Sequence, residues 1–121
     1  MKHEIYYDKE KTKPAEFEVD EDGWAILRDD KAYYVFDKSK VIAYDESAVW
    51  AYGKSRVVAN DKSKVIAYDE SAVWAYGWSK VEAYDESAVV AFDKSEVVAF
   101  DKSVVWAYDK SKVNDFRKKL K

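Results

Sequence analysis

The chain has 121 residues, which is enough for one domain and too few for two ordinary ones. Apolar residues make up 48% of it and aromatic residues 17%, so a core is possible, and with only three Gly and one Pro it is neither collagen-like nor a disordered linker. The 21 basic and 24 acidic residues leave a net charge of −3, which lacks the basic footprint of a nucleic-acid-binding protein. No cysteine is present, so a disulfide scaffold and a Cys-based zinc site are excluded.

The N-terminal segment, 1–32, lies outside the regular pattern that follows it. It contains three strand-like segments, at 4–7, 16–19 and 24–27, with Pro14 in a loop and a turn at 20–23. We predict that 1–32 forms an N-terminal β cap or hairpin, although 25–32 also resembles a weak repeat copy. Because the chain has neither an apolar signal core nor a run of about 20 apolar residues, we expect a cytoplasmic protein without membrane contact.

An eight-residue repeat, Val-x-Ala-Tyr-Asp-x-Ser-x, occupies residues 33–113. Position 1 is Val from residue 41 onward, position 3 is Ala and position 7 is Ser, with few changes. Position 4 is Tyr or Phe except for Asn60, and position 5 is Asp except for Gly53 and Gly77. The repeat ends in a charged tail, residues 114–121.

The spacing within the repeat predicts strands joined by tight turns. Positions 7, 1 and 3 are two residues apart and share one face of a strand, whereas a helix would rotate the Val column by about 80° per copy. Positions 1, 3 and 7 hardly vary between copies, so Val, Ala and Ser are predicted to point inward. The position-5 Asp is predicted to bond the backbone two residues on, and Gly to replace it where φ is positive.

Stacked strand–turn units predict an all-β, single-domain β-solenoid, or parallel β-helix. The segment 40–53 recurs unchanged as 64–77, a step of 24 residues that fits three octads per coil. Three octads per coil would enclose a wide, triangular interior, and Val, Ala and Ser are too small to fill it without voids. We therefore favour coils of two octads, or about 16 residues, each stacked on the next.

Residues suited to catalysis are few. His3 is the only histidine, and the three glycines are too far apart for a phosphate-binding loop. Acidic pairs recur at 45–46, 69–70 and 85–86, as a hydrolase would need, but their place in the repeat turns explains them without catalysis. In other copies Lys follows Asp and supplies a counter-charge, which disfavours calcium binding. We predict no enzyme activity, no metal and no cofactor.

Outward aromatic side chains form the candidate binding surface, because large exposed apolar patches mark interfaces and Tyr and Trp dominate binding energies. Their alternative role is to stabilise the sheet by cross-strand pairing. The predicted binding residues are Tyr44, Trp50, Tyr52, Tyr68, Trp74, Tyr76, Trp78, Tyr84, Trp106 and Tyr108. They predict a non-catalytic repeat scaffold that binds a protein partner or itself, as a homodimer. A carbohydrate-binding module using the same aromatic face is the alternative, and nucleic acid is not expected.

The octads at 41–48 and 73–80 resemble the Val-x-Ala-(aromatic)-(Gly/Asp)-x-Ser-x unit of octapeptide-repeat proteins of unknown function from bacterial and phage genomes. The resemblance covers residues 33–113 and implies a solenoid, with no functional residues to transfer. A phage relationship implies a further alternative, an inhibitor of a host protein. The regularity of the copies also leaves a designed origin open.

Overall fold

The protein is described by a computed structural model that places residues 3–117. Within that range it is all-β. Its strands are β1 (Glu4–Tyr6), β2 (Glu18–Val19), β3 (Ala25–Leu27), β4 (Ala32–Phe36), β5 (Lys40–Ala43), β6 (Ala48–Ala51), β7 (Arg56–Ala59), β8 (Lys64–Ala67), β9 (Ala72–Ala75), β10 (Lys80–Ala83), β11 (Ala88–Ala91), β12 (Glu96–Ala99), β13 (Val104–Ala107) and β14 (Lys112–Asp115).

The strands form two seven-stranded sheets. We call the one with the order β1-β4-β6-β8-β10-β12-β14 sheet A and the one with the order β13-β11-β9-β7-β5-β3-β2 sheet B. Successive octads alternate between the sheets, and each repeat strand pairs in parallel with the strand two octads further along, as Val65 does with Val81. The predicted β-solenoid with two octads per coil is confirmed, and the three-octad alternative is wrong.

Antiparallel strands cover the first coil. β1 pairs with β4, and β2 pairs with β3, both in antiparallel register. β3 pairs in parallel with β5, so the stack of parallel strands already begins at Ala25, within the region predicted as a cap. Ile5 and Tyr33 are each 3% exposed, which shows that the interior of the first coil is closed at this end.

The narrow interior contains the small side chains of positions 1, 3 and 7. Every position-1 Val from Val41 to Val97 is at most 1% exposed, and the position-3 Ala residues from Ala43 to Ala99 are fully buried. The buried Ser hydroxyls donate to the carbonyl three residues earlier, as Ser71 Oγ does to Tyr68 at 2.7 Å. The predicted inward face is therefore confirmed, and its polar groups are satisfied.

Between coils, the turns are joined by a ladder of Asp carboxylates. The position-5 Asp residues have positive φ, as at Asp85 (58°), and Gly53 and Gly77 occupy the same region. Asp85 Oδ2 accepts a hydrogen bond from the backbone N–H of Asp69 in the preceding coil at 2.9 Å. The predicted bond to the backbone two residues on was wrong for these turns, because stacking brings the amide of the neighbouring coil within closer reach.

Substitutions at Asp85 should separate the two roles of this turn residue. We expect Asp85→Ala to lower the free energy of unfolding by about 2 kcal/mol, because it removes one hydrogen bond and leaves a residue that disfavours the left-handed region. Asp85→Gly keeps the backbone geometry and loses only the hydrogen bond to the Asp69 amide, and Asp85→Asn keeps an acceptor for that bond. The loss of unfolding free energy should therefore be largest for Ala, smaller for Gly and smallest for Asn. Urea unfolding of the three variants measures this order, and an Ala variant as mild as Asn would contradict it.

Candidate functional site

The two-octad coil divides the predicted aromatic residues between opposite faces. Trp50, Tyr52, Tyr68 and Tyr84 lie on sheet A or directly after its strands; Tyr44, Trp74, Tyr76, Trp106 and Tyr108 lie likewise on sheet B. Trp78 is in the turn after β9 and is 57% exposed, with Lys94 Nζ 4.6 Å from its ring centroid. The structure therefore does not bring these residues together into one aromatic face.

The aromatic rings that follow the strands of sheet A stack on one another. Neighbouring centroids lie 4.8–5.5 Å apart with interplanar angles of 3–14°. The members of this ladder are Phe36, Tyr52, Tyr68, Tyr84, Phe100 and Phe116. Because their faces are occupied by neighbouring rings, these residues match the sheet-stabilising role that cross-strand pairs provide.

The corresponding ladder on sheet B is shorter. Tyr76, Phe92 and Tyr108 stack at 5.0 and 5.4 Å. Asn60 interrupts the column, so Tyr44 is separated from the other rings and instead lies under the Arg28 guanidinium, 4.8 Å from its centroid. The aromatic surface of sheet B is thereby concentrated on its last three strands.

Those three strands present a continuous uncharged surface, which we call the sheet B patch. It consists of the outward side chains of β9, β11 and β13 and of the residue after each strand: Ala72, Trp74, Tyr76, Ala88, Val90, Phe92, Val104, Trp106 and Tyr108. On β5 and β7 the same face carries Lys40 and Arg56. Sequence reasoning missed the patch, although position 8 of alternate octads carries its signal, changing from Lys40 and Arg56 to Ala72, Ala88 and Val104.

On the opposite face, a groove of 290 Å³ runs beside Trp50, and we call it the Trp50 groove. Tyr34 stacks on one face of the Trp50 ring, with centroids 4.8 Å apart and an angle of 14°. The residue paired with Trp50 in the next coil is Ile66, so the second face of the indole has no aromatic neighbour. This open ring face is one wall of the groove.

Four charged side chains also line the Trp50 groove: Lys64, Lys80, Glu82 and Glu96. Among the described residues, 3–117, no ion pair joins any two of them. The Tyr84 hydroxyl donates to Glu82 Oε1 at 2.8 Å, and this bond, together with burial, raises the pKa of Tyr84 to about 12. Tyr84 thus holds the Glu82 carboxylate in place while its second oxygen remains available.

The residues considered for catalysis do not assemble into a site. His3 Nε2 lies 2.7 Å from the Gly23 carbonyl oxygen in the N-terminal region. The carboxylates of Asp45, Asp69 and Asp85 each accept a backbone N–H from the preceding coil. In the part of the chain that the structure describes, no three His, Asp or Glu side chains are grouped so that they could hold a metal ion.

These observations define the protein as a two-sheeted parallel β-solenoid with an uncharged patch on one face and a groove on the other. No family model matches the sequence, and no curated protein or solved structure is significantly similar to it. Residues 3–117 contain no helix that is long and apolar enough to span a membrane.

Proposed function

We propose that this protein is a non-catalytic repeat scaffold that binds a second copy of itself through the sheet B patch. The uncharged surface of β9, β11 and β13 is the observation that carries the proposal. A contiguous exposed apolar patch on a monomer marks an interaction site. Trp74 and the edge-strand residue Trp106 supply side chains of the type that contributes most to binding at protein interfaces.

The surroundings of the sheet B patch support this assignment. Glu70 and Glu86 lie in the turns that precede β9 and β11, and Lys94 and Lys110 lie in the turns that follow β11 and β13. All four are exposed. An apolar centre with a charged rim is the usual composition of a protein–protein interface. The hydrogen-bonded solenoid also holds the patch rigid, so little conformational entropy is lost on binding.

Val90 and Val98 provide a matched test, because both are outward valines at position 2, on sheet B and sheet A respectively. We expect the wild-type chain to dimerise, Val90→Lys to weaken the dimer by at least about tenfold, or about 1.4 kcal/mol, and Val98→Lys to leave it unchanged. Light scattering over a concentration series measures the mass, and circular dichroism checks the fold. A wild-type mass of one chain throughout, or equal weakening by both variants, would contradict the proposed dimer.

A further inference from the structure

The column of outward side chains that contains Trp50 begins with two aromatic rings and continues with the smaller Ile66, Glu82 and Val98. Tyr34 and Trp50 stack in consecutive coils, with their centroids 4.8 Å apart. In the next coil the column continues with Ile66, which is shorter than the indole and covers only the part of its second face nearest the backbone, so that Trp50 is half-buried and lines the groove. Since coils repeat every ~4.8 Å, the space above Ile66 has the depth of one stacked ring. The Trp50 groove occupies this space.

The charges around this space favour a neutral ligand. Lys64 and Lys80 supply donors, and Glu82 and Glu96 supply acceptors. A ligand of either charge would meet two groups of its own sign in the same groove. Hydroxyl groups both donate and accept hydrogen bonds, so a neutral polyol suits all four side chains.

We propose that the Trp50 groove binds a neutral carbohydrate, with one pyranose ring stacked on the open face of Trp50. The apolar C–H face of a pyranose packs on the indole face opposite Tyr34, and its hydroxyls point sideways towards the charged side chains. The Glu82 carboxylate, held by Tyr84, is the best-positioned acceptor. The volume of 290 Å³ lies near the lower end of the roughly 300–1,000 Å³ of small-molecule sites, which fits one ring of a longer glycan. The site is independent of the sheet B patch, because it lies on the opposite face.

Titration with cellohexaose, maltohexaose, xylohexaose and N-acetylchitohexaose tests the proposal, with the indole N–H signals followed by NMR. We expect at least one of these sugars to shift the Trp50 signal saturably, and Trp50→Ala to weaken that binding by at least about tenfold when it is measured by isothermal titration calorimetry. The matched control is Trp74→Ala, because Trp74 has the same repeat position on the opposite sheet and should not affect sugar binding. The same titration of Val90→Lys, the variant expected to weaken the dimer, tests whether sugar binding depends on dimerisation. We expect its sugar affinity to be unchanged.

Ile66→Trp provides a second, more specific test. The added indole should stack on Trp50 and cover its second face, so that sugar no longer shifts the Trp50 indole signal although Trp50 is still present. We expect this variant to fold, since Trp occupies the equivalent outward position at residues 50, 74 and 106. The proposal would be overturned if none of the four sugars shifted the Trp50 signal or if sugar still shifted that signal in Ile66→Trp. A preference for sulfated glycans that weakens steeply with salt would overturn it as well.

Discussion

Val57→Asp is expected to unfold the solenoid, whereas Val58→Asp is expected to leave it folded. The two valines are adjacent in β7, but Val57 is fully buried and Val58 faces outward. Val57 lies between Val41 and Val73 of the neighbouring coils, where a carboxylate would have no partner for its charge. The identical substitution therefore places the charge inside the solenoid in one variant and in water in the other.

The expected difference is large relative to the stability of a small domain. Replacing buried Val57 loses about 1.5–3 kcal/mol of apolar burial, and an unpaired buried carboxylate costs several kcal/mol more. Because domains of this size are stable by only about 5–15 kcal/mol, we expect Val57→Asp to lose its cooperative thermal transition. Each coil is stabilised by its neighbours, so the defect in the middle should also weaken the adjacent coils.

Far-UV circular dichroism and thermal unfolding of both Asp variants measure this effect. Val58→Asp is the control, and we expect its melting temperature to change by only a few degrees, about 1 kcal/mol or less in stability. Similar melting curves for the two variants would contradict the inward assignment of position 1.

The second large effect is expected at Ala75, where Ala75→Leu should overfill the interior. Ala75 is fully buried and is paired with Ala59 and Ala91 in the coils on either side. Three added carbon atoms have no space between two sheets lined by Val, Ala and Ser. Overpacking of a tight core typically lowers the free energy of unfolding by about 1–3 kcal/mol. We expect a value at the upper end, because the two sheets cannot separate locally without breaking hydrogen bonds between the coils.

Ala72→Leu is the matched control, because Ala72 lies at the other end of the same strand and points outward. Because Ala72 also belongs to the sheet B patch, we compare the variants at concentrations at which the chain is monomeric, where we expect Ala72→Leu to change the free energy of unfolding by about 0.5 kcal/mol or less. Urea denaturation of both variants measures the difference. If the two alanines tolerated leucine equally well, the interior would be wider than the structure indicates.

Several features of the fold could be predicted from the sequence because they depend on neighbouring residues. Alternation with a period of two identifies strands, and the constancy of Val, Ala and Ser identifies the buried face, since a packed interior tolerates little change in volume. The same volume argument selected two octads over three. The Gly residues at positions 53 and 77 identified a turn of positive φ, which the Asp residues of the other copies share.

Other features depend on contacts between adjacent coils, and these only the tertiary structure decided. The Asp85 carboxylate bonds the amide of Asp69 because the turns stack, not because of local geometry. The open face of Trp50 exists because closure of the coil places Ile66 beside it. Neither the hydrogen bond between Asp85 and Asp69 nor the pairing of Trp50 with Ile66 has a signal in the eight-residue pattern itself.

The sequence by itself determined the strands, the buried positions and the length of the coil, because side-chain volume and strand periodicity are properties of each octad. It also identified the aromatic residues as the candidate binding groups. Two octads per coil also place Trp50 and Trp74, which are three octads apart, on opposite faces, although this was not drawn from the sequence. Only the tertiary structure decided that β9, β11 and β13 pair in parallel and in register, so that their outward side chains form one uncharged surface. The physical reason is that hydrogen bonds between coils, and not the order of residues within an octad, fix this register.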